Sequence, residues 1–368
     1  MDAIAYLIGA GSMSLGVEAA GFDLKAVWET PGYSKNAATW DLNRPELRHQ
    51  VFELDHTSDH LARVASGVDL IYGNPPCGGL SAMTASRLSS PTNNCMRQWI
   101  RMVVKARPRM ILMENAFQLA TERVGCLLTD LTDVLDQHDY YWWTWIMYSY
   151  QIHTPQIRRR AFLCASLDVP KHPELIPLDD LPSSRDRSLC PVGPYLANLV
   201  GVDPSPDPVW STTGEVVTQH WYEPIKTVEL NALVKQNIGR LSSRFLTPKD
   251  RRKIQERADN GDRVAQRELL QVEQLIWEDC PREFGGMQCH RPYIIPWHEA
   301  GATIIGSYKY IHPIDHRFLT MREMARLMGY PDSWKFHRLF PHLIAQGIPV
   351  NNAWWAATRM REVMGLKD

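Results

Sequence analysis

The first half of the chain alternates short apolar runs with segments of helical spacing, and this alternation limits the folds that it can adopt. The runs IAYLI, LKAVWE, VDLIY, MILMEN, WWTWIMYS and AFLCAS have the length of strands. One helical pattern begins near residue 14, and a second spans about residues 35–42. Strands and helices that alternate in this way form a largely parallel sheet with helices on both faces. The pattern therefore predicts an α/β fold.

Composition sets broad limits on size, charge and compartment. The chain has 368 residues, of which 44% are hydrophobic, so it can bury a large core and has the length of two domains. Forty basic and 41 acidic residues leave a formal charge of -1, so any nucleic-acid surface must be local. Seven cysteines without a C-x-x-C pair argue against disulfides or a zinc site and favour a reducing cytosol. The sequence shows neither a long apolar stretch nor a basic leader followed by an apolar run, so we expect neither membrane insertion nor secretion.

The character of the sequence changes at about residue 170. Two proline-rich polar stretches follow, DVPKHPELIPLDDLPSSRD and GVDPSPDPVW, and they indicate a departure from the sheet. The charged segment 247–283 is predicted to form two helices, which are either a solvated hairpin or a pair that contacts DNA. Beyond residue 320, MREMARLMGY and NNAWWAATRMREVM have helical apolar spacing. We therefore predict three parts, at 1–169, 170–318 and 319–368.

A glycine-rich loop follows the first apolar run. In LIGAGSMSLGVEAAGF, Gly9, Gly11 and Gly16 lie where the backbone turns and a ligand can approach. Glu29 ends the second predicted strand and Asp55 follows the third, where acids accept hydrogen bonds from ribose. No G-K-[ST] follows, which favours a nucleoside cofactor such as S-adenosylmethionine over ATP. A tight turn without a ligand, and acids that are merely solvated, remain the alternatives.

A single cysteine lies in a rigid loop after the run VDLIY. In GNPPCGGLS, Cys77 follows two prolines and precedes two glycines, at the edge where α/β sheets bind ligands. Glu114 ends MILMENA, and TPQIRRRAFLCA brings Gln156, Arg158 and Arg160 before another strand. A thiolate, a carboxyl group and arginines form a set suited to covalent catalysis. Taken singly, each could be an inert cysteine, a strand-end acid or a solvated basic run.

At these residues the sequence resembles the cytosine carbon-5 DNA methyltransferase family. GAGSMSLGVEAAGF resembles the first cofactor motif of the family, NPPCGGLS its nucleophile loop, MENA its glutamate motif and PQIRRRAF its Gln-x-Arg-x-Arg block. The late segment 291–334, which begins RPYIIPWHEAG, is similar to the late conserved region and is the most specific match. The resemblance covers about 4–165 and 290–362. The segment between them falls where the family has its variable target-recognition domain.

The resemblance implies an α/β, Rossmann-like S-adenosylmethionine-dependent methyltransferase with a mixed sheet and helices on both faces. It makes 1–169 the catalytic domain, 170–318 a smaller irregular target-recognition domain with a helical insert, and 319–368 the helices that complete the catalytic domain. The implied cofactor is S-adenosyl-L-methionine and the implied partner is double-stranded DNA. We expect no metal, no membrane, a monomer, and a prokaryotic or phage-infected host cytoplasm.

The resemblance also implies a mechanism. Cys77 attacks carbon 6 of a cytosine that is flipped out of the duplex, while Glu114 supports the ring at nitrogen 3 and the amine. Carbon 5 then takes the methyl group. Arg158 and Arg160 would hold the flipped nucleotide and the thiolate. The residues implied at the cofactor are Leu7, Gly9, Ala10, Gly11, Ser12, Met13, Trp28, Glu29, Asp55, Asn74, Pro75 and Val350. The residues implied at DNA are Gly78, Ser81, Gln156, Arg291 and Thr303.

Several positions depart from the family pattern. Leu7 replaces the aromatic residue that stacks on the cofactor adenine, and Tyr6 is the nearest substitute. Gly78 replaces a glutamine after the nucleophile, and Asn74 replaces a glycine. Ile348 stands in GIPV, where the last motif has an asparagine. These changes alter the cofactor pocket or the pocket for the flipped base, or they mark a divergent branch such as bacteriophage enzymes.

Three other functions compete with this interpretation. NPPC also resembles the N-P-P-aromatic loop of methyltransferases that modify exocyclic amines, although the aromatic position here is Cys77. One branch of the family acts on RNA, but the long insert at 170–290 favours duplex DNA. A catalytically impaired DNA-binding homologue is the non-enzymatic alternative, and the presence of both Cys77 and Glu114 weighs against it.

Overall fold

The described part of the chain is built on a seven-stranded mixed sheet. The computed structural model describes residues 1–32, 34–53, 59–76, 91–120, 125–200, 256–257, 259–260, 293–305, 310–315, 319–336 and 341–366. The strands of the sheet are β1 (Asp2–Tyr6), β2 (Asp23–Glu29), β3 (Gln50–Val51), β4 (Leu70–Gly73), β5 (Met110–Ala116), β6 (Tyr141–Tyr148) and β7 (Arg159–Ser166). A short parallel pair, β8 (Tyr293–Ile294) and β9 (Tyr310–Ile311), lies outside it.

The strand order of the sheet is β3-β2-β1-β4-β5-β7-β6. The strands from β3 to β5 in this order pair in parallel, whereas β7 pairs antiparallel with both β5 and β6. The start of β7 therefore lies at the same sheet edge as the ends of β4, β5 and β6. The prediction of an α/β fold with a mixed sheet is confirmed. Ligands of α/β sheets bind at this carboxyl edge of the parallel strands.

Helices cover both faces of the sheet. Trp40 and Ala357 belong to the apolar core on one face, and Trp99 and Leu131 belong to the core on the other. Every residue of β4 and β5 is buried between these cores, which explains why both strands are almost continuously apolar. The helices are α1 (Ser12–Ala19), α2 (Ser34–Asn43), α3 (His60–Val64), α4 (Pro91–Ala106), α5 (Gly125–Asp136), α6 (Gly193–Leu196), α7 (Met321–Leu327), α8 (Pro341–Gln346) and α9 (Val350–Val363).

None of the helices in this described part combines the length and the apolar character that a bilayer crossing needs.

The two late helices predicted from apolar spacing are present as α7 and α9. The N-terminus of α7 is closed by a capping box, in which Thr320 Oγ1 accepts from the Glu323 N–H and Glu323 Oε2 accepts from the Thr320 N–H. Helix α9 crosses α1 at Gly16, where an added Cβ would lie 2.4 Å from the Val350 carbonyl oxygen and 2.6 Å from Ala353 Cβ. Gly16, expected to turn the backbone beside a ligand, is instead an ordinary helical residue at which two helices meet.

Packing does not change at residue 170. Trp145 Nε1 of β6 donates to the Ile176 carbonyl at 2.8 Å, and Arg359 Nε of α9 donates to the Leu175 carbonyl at 3.0 Å. Ile295 and Ile304, from the far side of the predicted middle part, are buried in the same core as β6. The proline-rich stretch at 170–188 therefore lies against the sheet and α9. Apart from 256–257 and 259–260, the helical insert predicted at 247–283 lies outside the described residues.

A methyl group at Gly16 tests the contact between α1 and α9. We expect Gly16→Ala to lower the free energy of unfolding by about 1–3 kcal/mol, because the contact leaves no space for a Cβ. Thermal unfolding of both proteins measures the loss. The matched control is Gly32→Ala, where an added Cβ has nothing within 4 Å. Equal melting temperatures for Gly16→Ala and Gly32→Ala would contradict the assignment.

Candidate active site

The loop between β1 and α1 enters the left-handed region of backbone space at Leu7, Gly9 and Gly11. Their φ angles are 71°, 54° and 92°. Glycine adopts this conformation freely, but a leucine there costs on the order of 1–3 kcal/mol, and such strain is concentrated at functional sites. A Cβ at Gly11 would lie 2.8 Å from the Trp40 ring, whereas a Cβ at Gly9 would have nothing within 4 Å. The loop is thus packed at Gly11 and open at Gly9.

Glu29 ties the end of β2 to this loop, as its predicted position at a strand end requires. Glu29 Oε2 accepts from the Gly9 N–H at 3.1 Å, and Oε1 accepts from the Thr30 N–H at 2.9 Å. The side chain is 1% exposed. Burial raises the pKa of the Glu29 carboxyl to about 7, although the two backbone hydrogen bonds favour its ionised form. Each oxygen retains a lone pair for a further donor.

An aromatic cavity of about 240 Å³ opens beside Glu29, at the carboxyl ends of the first three strands. Trp28 forms one wall, with its ring edge-on to Tyr6 at 6.0 Å and to Phe52 at 5.4 Å between centroids. The Tyr6 hydroxyl donates to the Phe52 and Glu53 carbonyls at 3.3 and 3.2 Å, which holds β1 against the segment after β3. The cavity is lined by Tyr6, Trp28, Phe52, Glu53, His60, Leu61 and Met102.

Glu114 and Arg160 meet across the antiparallel pairing of β5 and β7. Glu114 is 1% exposed, and Arg160 Nε lies 2.9 Å from Glu114 Oε1. Burial raises the pKa of the Glu114 carboxyl, and the charges of Arg160 and Arg158 oppose this increase. Arg160 Nη1 also donates to the Arg159 carbonyl at 2.9 Å, which fixes the guanidinium. The arrangement gives a buried acid that can hold a proton and an adjacent fixed cation.

Asn115 links the glutamate strand to the cysteine loop, and no sequence motif predicted this role. Its Nδ2 donates to the Pro75 carbonyl at 3.0 Å, and its Oδ1 accepts from the Ala116 N–H at 2.9 Å. Pro75 is buried and lies two residues before Cys77. The available signal was a polar residue at the end of a fully buried strand, because such a residue must find hydrogen-bond partners.

Gln156 and Arg158 point into the protein. Gln156 is fully buried; its Nε2 donates to the Leu327 carbonyl at 2.7 Å, and its Oε1 accepts from the Ile304 N–H at 2.9 Å. Arg158 donates to the carbonyls of Ile304 and Gly347 at 3.1 and 2.7 Å. Both side chains therefore hold the segments around residues 304, 327 and 347 against the start of β7. The predicted DNA contact of Gln156 would require its amide to leave these partners.

The remaining predicted residues are divided between the site and the undescribed part of the chain. Ala10, Ser12 and Met13 are buried at the start of α1. The Val350 N–H donates to the Met328 carbonyl at 2.9 Å, and the Thr303 carbonyl accepts from the Tyr310 hydroxyl at 2.5 Å. Asn74 is partly exposed after β4. The predicted residues outside the described part are Asp55, Cys77, Gly78, Ser81 and Arg291.

A family model supplies the decisive comparison. The model for the C-5 cytosine-specific DNA methylases matches residues 1–350. The chain belongs to this family. The predicted resemblance is therefore confirmed, and with it S-adenosylmethionine as cofactor, DNA as substrate and methylation of cytosine at carbon 5. Membership in the C-5 cytosine-specific DNA methylases favours the ring carbon over the exocyclic amine, and DNA over RNA.

Individual relatives agree with this assignment. The chain is 25% identical over 370 residues to the type II methyltransferase M.XorII of Xanthomonas oryzae, with 89% of this chain and 76% of the relative covered. It is 22% identical over 394 residues to the type II methyltransferase M.FnuDI of Fusobacterium nucleatum, with 100% and 96% covered. The crystal structure of an Escherichia coli prophage protein assigned as a DNA modification methyltransferase has the same fold, with a TM-score of 0.63, 18% identity and 99% of both chains covered.

One cluster of metal-ligand type lies away from the methylase site. Atoms of His312, Asp315 and Glu323 lie within 4.8 Å of one another. His312 Nδ1 accepts from the N–H groups of Ile314 and Asp315, and Glu323 caps α7. These contacts give His312 and Glu323 structural roles in a turn and a helix start.

The raised pKa of Glu29 predicts how stability depends on pH. The pKa of the Glu29 carboxyl is higher in the folded protein than in the unfolded chain. The carboxyl therefore stabilises the fold fully at pH values below its pKa in the unfolded chain, and this stabilisation is lost as the pH rises through 7. Relative to Glu29→Gln, we expect the wild type to lose about 2 kcal/mol of unfolding free energy between pH 5.5 and 8.5. Denaturant unfolding of the cofactor-free proteins measures the difference.

The control for a general effect of replacing a carboxyl by an amide is Glu46→Gln, at an exposed position outside this loop. Parallel stability curves for the wild type and Glu29→Gln would show that Glu29 does not titrate in this range.

Proposed function

We propose that Cys77, Glu114 and Arg160 carry out the carbon-5 methylation through a covalent adduct between Cys77 and cytosine. The observation that carries the proposal is the arrangement at the end of β5. Glu114 is a buried acid beside Arg160, and the next residue, Asn115, holds the carbonyl of Pro75 at 3.0 Å. Neighbouring residues of one strand thus position the acid and the loop that carries the thiol.

The proposed chemistry begins with the Cys77 thiolate. It forms a bond to carbon 6 of the flipped cytosine, and the electron pair of the carbon 5–carbon 6 double bond forms a carbon 4–carbon 5 double bond. The pair of the former carbon 4–nitrogen 3 double bond moves to nitrogen 3, which takes a proton from Glu114. Carbon 5 is then an enamine carbon able to attack a methyl group. S-adenosylmethionine supplies that methyl group when bound. Loss of the carbon-5 proton to a base restores the double bond and expels the thiolate.

The protonation state of Glu114 suits this step. Burial raises the pKa of the Glu114 carboxyl. Its neutral, proton-donating form is therefore more populated than that of an ordinary surface glutamate. Arg160, fixed by the Arg159 carbonyl, limits this increase and stabilises the carboxylate that remains after proton transfer. The Glu114 carboxyl, next to the fixed Arg160 guanidinium, can donate a proton and take it back without a change in side-chain position.

The residues after β1 and β2 fit the cofactor. Gly9 leaves the loop open on one side, Glu29 retains lone pairs for ribose hydroxyls, and the adjacent aromatic cavity suits a flat adenine. We place the adenine in this cavity against Trp28, so that Trp28, with Tyr6 and Phe52 beside it, takes the role of the aromatic residue that Leu7 replaces. Asp55, predicted at the same place, lies outside the described residues.

We place target recognition within the segment 201–292. The described parts of 170–200 and 293–311 pack against the catalytic body, which supports a narrower recognition segment than 170–318. Gln156 and Arg158 would hold the late segments against β7 as a base for it. We expect a monomer acting on double-stranded DNA in a prokaryotic or phage-infected host cytoplasm.

A mechanism-based trap tests the proposed function. Bisulfite sequencing of DNA from cells that express the protein first identifies the modified site. A duplex with 5-fluorocytosine at that site should then give a denaturation-resistant complex, because fluorine at carbon 5 prevents the final proton loss. We expect trapping by the wild type and none by Cys77→Ser, which should still bind S-adenosylhomocysteine with wild-type affinity. Methyl groups on the exocyclic amine, or trapping by Cys77→Ser, would refute the proposal.

The hydrogen bond from Asn115 to the Pro75 carbonyl can be tested separately. Asn115→Ala removes the donor that holds the cysteine loop, so we expect adduct formation to slow by about 10- to 100-fold while cofactor affinity stays within about twofold. Single-turnover methylation measures the first quantity and calorimetry the second. An unchanged single-turnover rate would show that the loop does not depend on Asn115.

A further inference from the structure

Arg159 lies at the catalytic edge of the sheet but outside the Gln-x-Arg-x-Arg pattern. It begins β7, directly before Arg160 and opposite Tyr148 at the end of β6. Its guanidinium carbon lies 4.7 Å from the centroid of the Phe117 ring and 5.5 Å from that of Tyr148. Phe117 follows the end of β5, so both rings belong to the edge that carries Glu114.

Two aromatic rings contact the charged group of Arg159, and no acidic side chain of the described residues pairs with it. Among the residues that the structure describes, the Arg159 guanidinium has aromatic contacts but neither an ion pair nor a hydrogen bond. Arg160, one residue later, pairs with Glu114. A cation–π contact occupies none of the five N–H donors of a guanidinium group. The half-buried Arg159 therefore retains donors for an acceptor that the described part of the chain does not provide.

A DNA phosphate matches this geometry. A flipped cytosine remains attached to its backbone, so the phosphates on either side must lie close to the pocket that receives the base. Planar guanidinium groups pair with phosphate oxygens through two parallel hydrogen bonds. We propose that Arg159 binds a backbone phosphate of the target strand beside the flipped cytosine. The proposal rests on the proposed function, which places that cytosine against Glu114.

The side chain of Arg159 can be removed without disturbing its neighbour. The contact that orients Arg160 is made by the main-chain carbonyl of Arg159, which accepts from Arg160 Nη1 at 2.9 Å. An alanine at position 159 retains this carbonyl. Loss of a phosphate contact should therefore weaken DNA binding while the rate of the chemical step at saturating DNA stays close to that of the wild type.

Salt dependence of DNA binding is the first test. With a duplex that contains the site found by bisulfite sequencing, the slope of log Kd against log salt concentration should fall by about 0.9 in Arg159→Ala, the value for one phosphate. Affinity near physiological salt should fall about 10-fold. Arg159→Lys should keep the slope because it keeps the charge. Arg101→Ala, which removes an exposed arginine of α4, is the matched control and should keep the wild-type slope.

A neutral phosphate analogue is the second test. A methylphosphonate placed singly on the 5′ or the 3′ side of the target cytosine should weaken binding by the wild type at one of these positions. The same substitution should have no further effect on Arg159→Ala, because the contact is already absent.

A wild-type salt slope in Arg159→Ala, or equal effects of both methylphosphonates on wild type and variant, would overturn the proposal. Those results would leave Arg159 as a link between two aromatic rings, with lower thermal stability in the alanine variant. These readouts measure binding, so they are independent of the covalent trap. Absence of trapping by the wild type would instead count against the proposed function.

Discussion

The buried contact between Glu114 and Arg160 is the interaction on which the site depends. A carboxyl group that is 1% exposed would be costly without an adjacent cation, and the antiparallel pairing of β5 and β7 supplies one at 2.9 Å. A wholly parallel sheet would begin β7 at the opposite edge and leave Glu114 unpaired. The reversal of one strand is therefore what places the acid Glu114 and the cation Arg160 at the same edge.

Two further side chains connect this edge to late parts of the sequence. Gln156 and Arg158 immediately precede β7, and their amide and guanidinium groups bind main-chain groups of Ile304, Leu327 and Gly347. Main-chain partners do not depend on which side chains those late segments carry. These contacts therefore hold the late segments in place whatever side chains they carry at these three positions.

Sequence reasoning located the strands and the acids but not the contacts between distant segments. The strand runs and Glu29 were predictable because apolar periodicity and a strand-end carboxylate are local signals. The hydrogen bonds from Arg158 to main-chain carbonyls and from Asn115 to the Pro75 carbonyl were not predictable, because they join residues far apart in the chain. The division at residue 170 stays a prediction; the contacts of Ile176 with the core could not be predicted, because proline-rich segments without regular structure also bury apolar side chains.

The crossing of α1 and α9 at Gly16 also constrains the order of biosynthesis. Helix α1 begins at Ser12 and α9 begins at Val350, so α1 is synthesised long before the helix that packs on it. During translation the buried face of α1 therefore lacks this partner until α9 has left the ribosome. Truncated products of this chain would therefore expose that face, which makes them natural substrates for chaperones and proteases.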